Sequence, residues 1–574
     1  MHYAQYADIW APLEWAQHPT SRTLRTLIQT RPSNATHVRD HLRWVAAGEV
    51  TLSSAPDLLV AELSPAALNA AARDINVARI SLDAIVRTSN TKLLEQNLLL
   101  DTEGLLTRER GGRYARALPY TGKDVVVALI DSGISPNRDL NGITFFDFTR
   151  GEKPVSPYDD YGHGTHIAGL IGSGGKMSDG QYAGIAPDCR FVVLKVFDEN
   201  GVGYTSTVID AINFAVANKS QYHIDIMNLS LGHPIDEPAA SDPLVRAVHQ
   251  AVAAGIVVVA SAGNFGGDPV TRATGYAGIT SPGNAPDAIT VGALDTLQTV
   301  TREDDEVAWY SSRGPTWHDA YQKPDISAPG SKLVSDADPE STLYRSYPGG
   351  RVQIHGNCFL RLSGTSMATG VTTGVVALML DAIRTTHRDT VLTPNAVKAM
   401  LEYTAFPMAN DDMLTQGAGA LNAGGAVALA AAIDPSRPVG AWWLDTGVNT
   451  WTSVAGQTLA WGQRLVWGDR VISGNQIYTN EPAWALRVVW GDRVVWGDST
   501  VWDGNQLLWG TRVIWGDSLI GETDGTRVIW GDRVVWGDLT ADRVVWGDLT
   551  SLNIAPTFVS WGNLERANND LLNR

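Results

Sequence analysis

Cysteine is nearly missing from this chain, with only Cys189 and Cys358 among 574 residues. Two thiols cannot build a disulfide framework, and their spacing matches no zinc-binding pattern. They read as two buried thiols. A single disulfide is the alternative, since sequence does not give the Cα separation that such a bond requires. Basic residues are also scarce, with 44 Lys and Arg against 61 Asp and Glu and a formal net charge of −17. That balance argues against nucleic acid as a main partner, because holding a phosphate backbone needs a basic surface. No apolar run approaches the roughly 18–20 residues that span a bilayer, so no transmembrane segment is expected. The longest runs, around residues 256–262 and 375–380, are of core size. The first residues, Met1-His2-Tyr3-Ala4-Gln5-Tyr6, lack the basic stretch and apolar stretch of a secretory signal. The 56 Gly and 27 Pro follow no triplet period, which excludes collagen. Core-forming residues are not lacking: 44% hydrophobic against 18% charged excludes a wholly disordered chain.

The length allows roughly three or four domains. Tryptophan shows that they differ in build, because 15 of the 20 lie beyond residue 440. There Arg487-Val488-Val489-Trp490-Gly491-Asp492 is followed at once by Arg493-Val494-Val495-Trp496-Gly497-Asp498, and the hexad recurs at 512–517, 527–532, 533–538 and 543–548. A period of six with β-branched pairs and a Gly in every unit disfavours helix. Extended residues joined by Gly-Asp turns fit better, as a meander of short strands or a small β-solenoid. In a meander, Trp490 and Arg493 would face each other across one turn, in cation–π geometry.

Residues 1–20 carry no clear pattern. From 21 to 86 the chain reads as a small β-α-β-β-α-β unit. Residues 23–29, 58–63 and 77–85 are extended, 37–47 and 66–72 are helical, and Ser64-Pro65 opens the second helix. Residues 87–120 form an irregular, charged connector. Between 121 and 433, short apolar runs at 125–130, 191–196, 224–229, 256–260 and 289–291 alternate with helical stretches at 205–219, 243–254, 366–384 and 394–404. Strands buried on both faces and alternating with helices imply a parallel sheet covered by helices on both sides. Ligands of such sheets bind beyond the carboxyl ends of the strands.

Three segments carry chemistry. Val127-Ala128-Leu129-Ile130-Asp131-Ser132-Gly133 puts a carboxylate at the end of a buried strand, where it can fix a histidine tautomer. It could equally cap a turn. Asp160-Tyr161-Gly162-His163-Gly164-Thr165-His166 surrounds His163 with small residues that let another element approach, as a general base needs. His166 reads as structural, and no Glu accompanies the pair as in a helical zinc motif. Ser363-Gly364-Thr365-Ser366-Met367-Ala368 places Ser366 at a helix start, where oriented N–H groups favour developing negative charge. A simple N-cap is the plainer reading of that serine.

Taken together, the order Asp131, His163, Ser366 resembles the subtilisin-like (subtilase) serine proteases, whose triad residues follow one another in this order. Further matches are Ser312-Arg313-Gly314-Pro315, Lys323-Pro324-Asp325-Ile326-Ser327-Ala328-Pro329-Gly330 and Gly417-Ala418-Gly419-Ala420-Leu421-Asn422-Ala423. The resemblance covers about 121–433. It implies an α/β catalytic domain with a parallel sheet, preceded by a small α+β inhibitory prodomain at 21–86 and followed by a β-rich repeat tail at 440–574. It implies a serine endopeptidase acting on polypeptides, with Asn264, in Ser261-Ala262-Gly263-Asn264, as oxyanion donor. Ser230, Leu231 and Gly232 would pair with the substrate backbone and wall the primary specificity pocket, Gly203 and Tyr204 would bind the substrate from the other side, and Ala262 and Gly263 would also be substrate-binding. The chain would be a zymogen inhibited by its own prodomain and cut by itself within about 86–112.

The triad needs no cofactor. Structural calcium is common in the family, but the loop Ser173-Gly174-Gly175-Lys176-Met177-Ser178-Asp179-Gly180 departs from the tight-site pattern, so a metal site stays open. A proline that family members carry soon after the nucleophile is replaced by Thr369-Gly370. Residues 335–358 match no family segment and read as a loop near the site. The resemblance points to an extracellular or cell-surface protein, the missing signal to a cytoplasmic one. The competing reading is an inactive scaffold, or a surface protein whose tail binds a partner or polysaccharide.

Overall fold

The computed structural model describes residues 8–9, 23–43, 50–88, 119–434 and 448–466, apart from a few short gaps, together with the strands Val471–Ser473, Arg527–Ile529 and Arg543–Val545.

The N-terminal unit is a five-stranded sheet in the order β1-β5-β2-β4-β3, with β1 Asp8–Ile9, β2 Leu24–Thr30, β3 Val50–Leu52, β4 Leu58–Leu63 and β5 Val77–Leu82. Helices Ala35–Leu42 and Pro65–Ala71 cover one face. The second begins as its sequence dictates, with Ser64 accepting a hydrogen bond from Ala67 N–H and Pro65 in the first turn. Strand alternation divides the side chains between two environments. Ile28, Leu59 and Ile80 meet Val38, Leu42 and Leu68 of the two helices. Leu27, Leu58 and Val60 point the other way and join the core of the larger unit beside Val208 and Ile209.

The larger unit is built on a nine-stranded, mostly parallel sheet. Its path runs β16-β15-β14-β12-β7-β10-β8-β9, with β17 also paired to β15. The parallel strands are β7 Val126–Asp131, β8 Ile143–Asp147, β10 Arg190–Lys195, β12 Ile226–Leu229, β14 Val257–Ser261, β15 Ile289–Asp295 and β17 Ile326–Pro329. β9 Lys153–Pro154 and β16 Glu306–Val307 are short and antiparallel. Both faces of β7 are buried. Val127 and Leu129 pack towards helices His163–Gly172 and Thr365–Thr386, while Val126, Ala128 and Ile130 pack towards Thr205–Ala217 and Pro243–Ala253. The neighbours β7 and β12 lead off in opposite directions, β7 towards β8 and β12 towards β14. Their carboxyl ends therefore form the crevice where such sheets bind ligands. Helix Thr365–Thr386 is long and apolar enough to cross a membrane, and it lies wholly buried in this unit.

Several expectations need correction. Residues 335–358 are not a loop: they run from the end of β18 Leu333–Asp336 through β19 Arg351–Ile354 into β20 Asn357–Leu362, a small antiparallel sheet. The extended stretch at 77–85 breaks at Asp83-Ala84, and β6 Ile85–Thr88 leaves for another sheet. Asp8 and Ile9 add a strand where no pattern was legible. The repeat region does not begin where composition suggests. The hairpin β21 Trp451–Val454 with β22 Gln457–Ala460 packs on the larger unit, and Val454 and Trp461 belong to its core. Trp461 Nε1 donates to Thr452 Oγ1 at 2.7 Å, and the same oxygen accepts from Asn422 Nδ2 at 3.0 Å. The hexad strands Arg527–Ile529 and Arg543–Val545 pair in parallel, which hairpins between successive hexads would not produce. Trp490 and Arg493 lie outside the described residues. Cys189 and Cys358 are both free thiols, and Cys358 is only half-buried.

β18 carries a buried acid, Asp336, hydrogen-bonded by Asn137 Nδ2 at 3.3 Å. Burial, reinforced by Asp139, pushes its carboxyl up to about 7. The folded-state value lies above the unfolded one, so its contribution is complete below about pH 4 and is lost as pH rises through 7. Asp336→Asn should therefore raise the thermal unfolding midpoint at pH 8 by at least about 2 °C, with a smaller gain at pH 5. Scanning calorimetry at both pH values checks this, and equal gains would contradict it.

Candidate active site

Asp131 ends β7 and His163 opens helix His163–Gly172. Both side chains are fully buried, and His163 Nδ1 lies 2.8 and 2.9 Å from the two carboxylate oxygens of Asp131. A ring N–H pointed at a carboxylate places the proton on Nδ1 and leaves Nε2 as the basic nitrogen. Nε2 is buried and takes no hydrogen bond among the described residues. The turn after Asp131 crosses the helix start so closely that a Cβ on Gly164 would lie 2.1 Å from the carbonyl oxygen of Gly133. The glycine there is a packing requirement.

A second carboxylate, absent from the sequence argument, holds this arrangement. Buried Asp159 accepts from Ser132 Oγ at 2.8 Å and Gly162 N–H at 2.8 Å on one oxygen, and from Thr165 N–H at 2.8 Å and Thr165 Oγ1 at 2.6 Å on the other. Ser132 Oγ also accepts from Gly164 N–H at 2.9 Å. The loop bearing Asp131 and the helix start bearing His163 thus share one buried anion. Its only sequence signal was its place four residues before His163. Beneath them, the buried Lys195 ammonium donates to Ser132 O, Asp160 Oδ1 and Phe197 O, each at 2.6 Å. His166 faces inward, with Nε2 3.2 and 3.0 Å from the carbonyls of Leu333 and Leu360. Burial, with His163 nearby, lowers its pKa to about 3, so it is neutral and structural, as expected.

Ser366 is the second residue of helix Thr365–Thr386, among the N–H groups left unpaired at a helix start. Its Oγ donates to Ser230 O at 3.0 Å, and Ser230 Oγ donates back to Ser366 O at 3.1 Å. Asn228 Nδ2 fixes Ser230 Oγ, and Thr373 Oγ1 fixes Asn228, each at 2.9 Å. Asn264 is tied to the same helix start: its Oδ1 accepts from Thr365 N–H at 3.0 Å and Thr365 Oγ1 at 3.1 Å, while Thr365 Oγ1 accepts from Gly263 N–H at 3.2 Å. Where the family's proline is missing, Thr369 Oγ1 donates to Thr365 O at 2.8 Å and the helix runs on unbroken. The structure therefore brings Asp131, His163, Ser366 and Asn264 to the crevice at the carboxyl ends of β7, β12 and β14.

The segments 202–204 and 231–232 face each other across a gap one strand wide. β11 Val202–Tyr204 and β13 Leu231–Gly232 both pair antiparallel with β6, which lies between them. The N-terminal unit thereby threads its last strand into the crevice. Tyr204 is covered by the Arg25 guanidinium, 4.4 Å from the ring centre. The loop 173–180 is held by a carboxylate from outside it: Asp139 accepts from Lys176 N–H at 2.5 Å and from Met177 N–H at 3.0 and 3.1 Å.

Sequence comparison decides the lineage. The model of the Subtilase family matches residues 122–427, just over half of the chain. The chain belongs to the subtilase family. Among subtilase relatives, the serine protease AprX of Bacillus subtilis is 41% identical over 310 residues, 53% of this chain and 66% of that protein. The subtilisin-like protease SBT6.1 of Arabidopsis thaliana is 30% identical over 337 residues, 58% of this chain but only 28% of its own length. The chain thus spans less than two thirds of either relative. Subtilisin of Bacillus pumilus is 35% identical over 263 residues, covering 46% of this chain and 78% of that protein. In fold, the chain is similar to fervidolysin of Fervidobacterium pennivorans, described as a keratinolytic enzyme related to subtilisin. The TM-score is 0.54 at 20% identity, over 74% of this chain and 63% of that one.

Replacing Asp159 by Ala strands four donors in a dry site, which should cost roughly 3 kcal/mol of unfolding free energy. Urea denaturation checks this, and a loss below about 1 kcal/mol would show that Asp159 does not hold the two segments together.

Proposed function

We propose that this subtilase is a serine endopeptidase made as a zymogen, with residues up to about Thr88 acting as its own inhibitor. The observation that carries the reading is the buried Asp131–His163 pair at the carboxyl end of β7, in the crevice where Ser230 O, after β12, accepts from the Ser366 hydroxyl. His163 Nε2 takes the proton from Ser366 Oγ as that oxygen leaves Ser230 O and attacks the carbonyl carbon. Asp131 keeps the ring oriented and stabilises the imidazolium. The NH2 of Asn264 and the N–H of Ser366 receive the oxyanion. His163 then protonates the leaving amine, and a water molecule, deprotonated by the same nitrogen, releases the acyl group. Every step draws on this chain's own groups and on water.

Substrate binding follows from the strand gap. A peptide lying antiparallel between Gly203-Tyr204 and Ser230-Leu231-Gly232 gains main-chain hydrogen bonds that are independent of its sequence. β6 supports this reading because it already binds in that manner. Polar contacts that fit an inhibitor hold the N-terminal unit in place. Asp83 accepts from Ser206 N–H and Oγ, both at 2.8 Å, at the start of helix Thr205–Ala217, and Asp210 of that helix accepts from Ser53 Oγ at 2.7 Å and Ser54 N–H at 2.9 Å. The register pairs Gly232 with Arg87 and Leu231 with Thr88. Leu231 is the chain neighbour of Ser230, whose carbonyl accepts from the Ser366 hydroxyl. The bond to be cut therefore falls in Thr88-Ser89-Asn90-Thr91.

Three outcomes test the proposal. Purified protein should react with a fluorophosphonate probe, and Ser366→Ala should abolish labelling. Unlabelled wild-type protein would contradict the protease reading. N-terminal sequencing of the processed enzyme should find a new terminus between Ser89 and Thr91, and one beyond residue 100 would overturn the register argument. Asn264→Ala should lower kcat by about 10²–10³, the range established for oxyanion donors in subtilisin, with little change in KM.

A further inference from the structure

Beneath the Asp131–His163 pair lies a charge that the mechanism above does not use. Lys195 ends β10, and the parallel register sets it beside Asp131 on the neighbouring strand. Residues 191, 193 and 195 alternate onto the face that carries 127, 129 and 131, so the Lys195 and Asp131 side chains leave the sheet on the same side. An apolar residue would fill such a position without an electrostatic penalty, whereas a buried ammonium is strongly destabilising unless its protons are paired. Here all three are paired. Nζ donates at 2.6 Å to Ser132 O, Asp160 Oδ1 and Phe197 O, and the ring centre of Tyr158 lies 5.0 Å away.

Two of these acceptors belong to the segments that meet at the site. Ser132 directly follows Asp131, and Asp160 stands three residues before His163. Val196 N–H adds a bond to Asp131 O at 2.9 Å. Asp159 joins the same two segments as an anion, and Lys195 joins them as a cation. The charges of Lys195 and Asp160 do not cancel at the ring of His163. The Lys195 side chain is 1% exposed and that of Asp160 32%, so water screens the carboxylate more than the ammonium. The other ionisable groups around the ring are Asp131, Asp159, the neutral His166 on its own helix, and Asp338, which accepts from Ser135 on the turn after Asp131. Lys195 is the cation of this set.

We infer that Lys195 is a positioning residue for the triad: its ammonium ties the Ser132 turn to the Asp160 loop, and its buried charge opposes a second positive charge on His163, so the base stays neutral into more acidic solution than it would beside an apolar residue. The inference rests on the protease reading above and concerns how its general base is tuned.

The test is the second-order rate of fluorophosphonate labelling of the processed enzyme between about pH 5 and 9, which needs Ser366 and neutral His163 but no particular peptide. Lys195→Met should move the acid limb of that profile up by at least about 0.5 pH unit, because it removes the cation and leaves Asp160 unopposed. Asp160→Asn keeps an oxygen for the ammonium to donate to, removes only the opposing charge, and should move the limb down. A role in packing alone would lower the rate at every pH and leave the limb in place. A limb unmoved in Lys195→Met, or moved the same way in both variants, would overturn the inference. If Lys195→Met does not fold, Lys195→Gln, which keeps two N–H donors without the charge, takes its place with the same expected direction. Labelled wild-type enzyme with an unmoved limb in the variants counts against Lys195 alone, whereas wild-type enzyme that is never labelled counts against the protease reading.

Discussion

One hydrogen bond organises this molecule: the ring N–H of His163 held between the oxygens of Asp131, with both residues wholly removed from water. A carboxylate can stand there only because other groups stabilise it, since burying an unpaired charge is prohibitive. Ser132 N–H donates to it at 2.7 Å, the imidazole donates from the other side, and the Lys195 ammonium is anchored on the neighbouring strand and turn. The surrounding fold can be understood as the means of keeping that pair dry and in register. A central strand buried on both faces delivers Asp131, a helix start delivers His163, and Asp159 joins the two.

The crevice is also shaped by what is withheld. Gly164, Gly232 and Gly263 each stand where a side chain would strike a neighbour. Between the rims 202–204 and 231–232 lies the last strand of the N-terminal unit, joined to both by main-chain pairing. Its sheet buries one face on its own two helices and the other on helix Thr205–Ala217. The N-terminal unit is therefore shaped to its neighbour and to the crevice at once. That geometry is what an intramolecular inhibitor presenting its own backbone as a substrate mimic requires.

Much of this was legible in the residues. Runs such as Val126–Asp131 and Val257–Ser261 declare strands buried on both faces because they lack polar alternation, and Ser64-Pro65 marks a helix start by cap chemistry alone. Other features depend on contacts between distant segments, which local pattern does not encode. Asp159 reads as one more acid before a glycine until its four donors are seen. Trp461 reads as one more Trp-Gly pair of the tail until it is seen buried against helix Ala423–Ala432. The strand pair 351–354 and 357–362 was hidden because Arg351-Val352-Gln353-Ile354 alternates over only four residues, too short a run to mark a strand before its pairing partner is seen.

The account turns on Asp131 acting through the tautomer of His163, and turnover of Asp131→Asn tests that most directly. An amide of the same shape keeps the packing but favours the wrong ring nitrogen. The account predicts that kcat falls by about 10⁴, the loss known for this exchange in serine proteases, while KM and the unfolding midpoint stay near wild type. A loss smaller than about tenfold, or one explained entirely by unfolding, would contradict it.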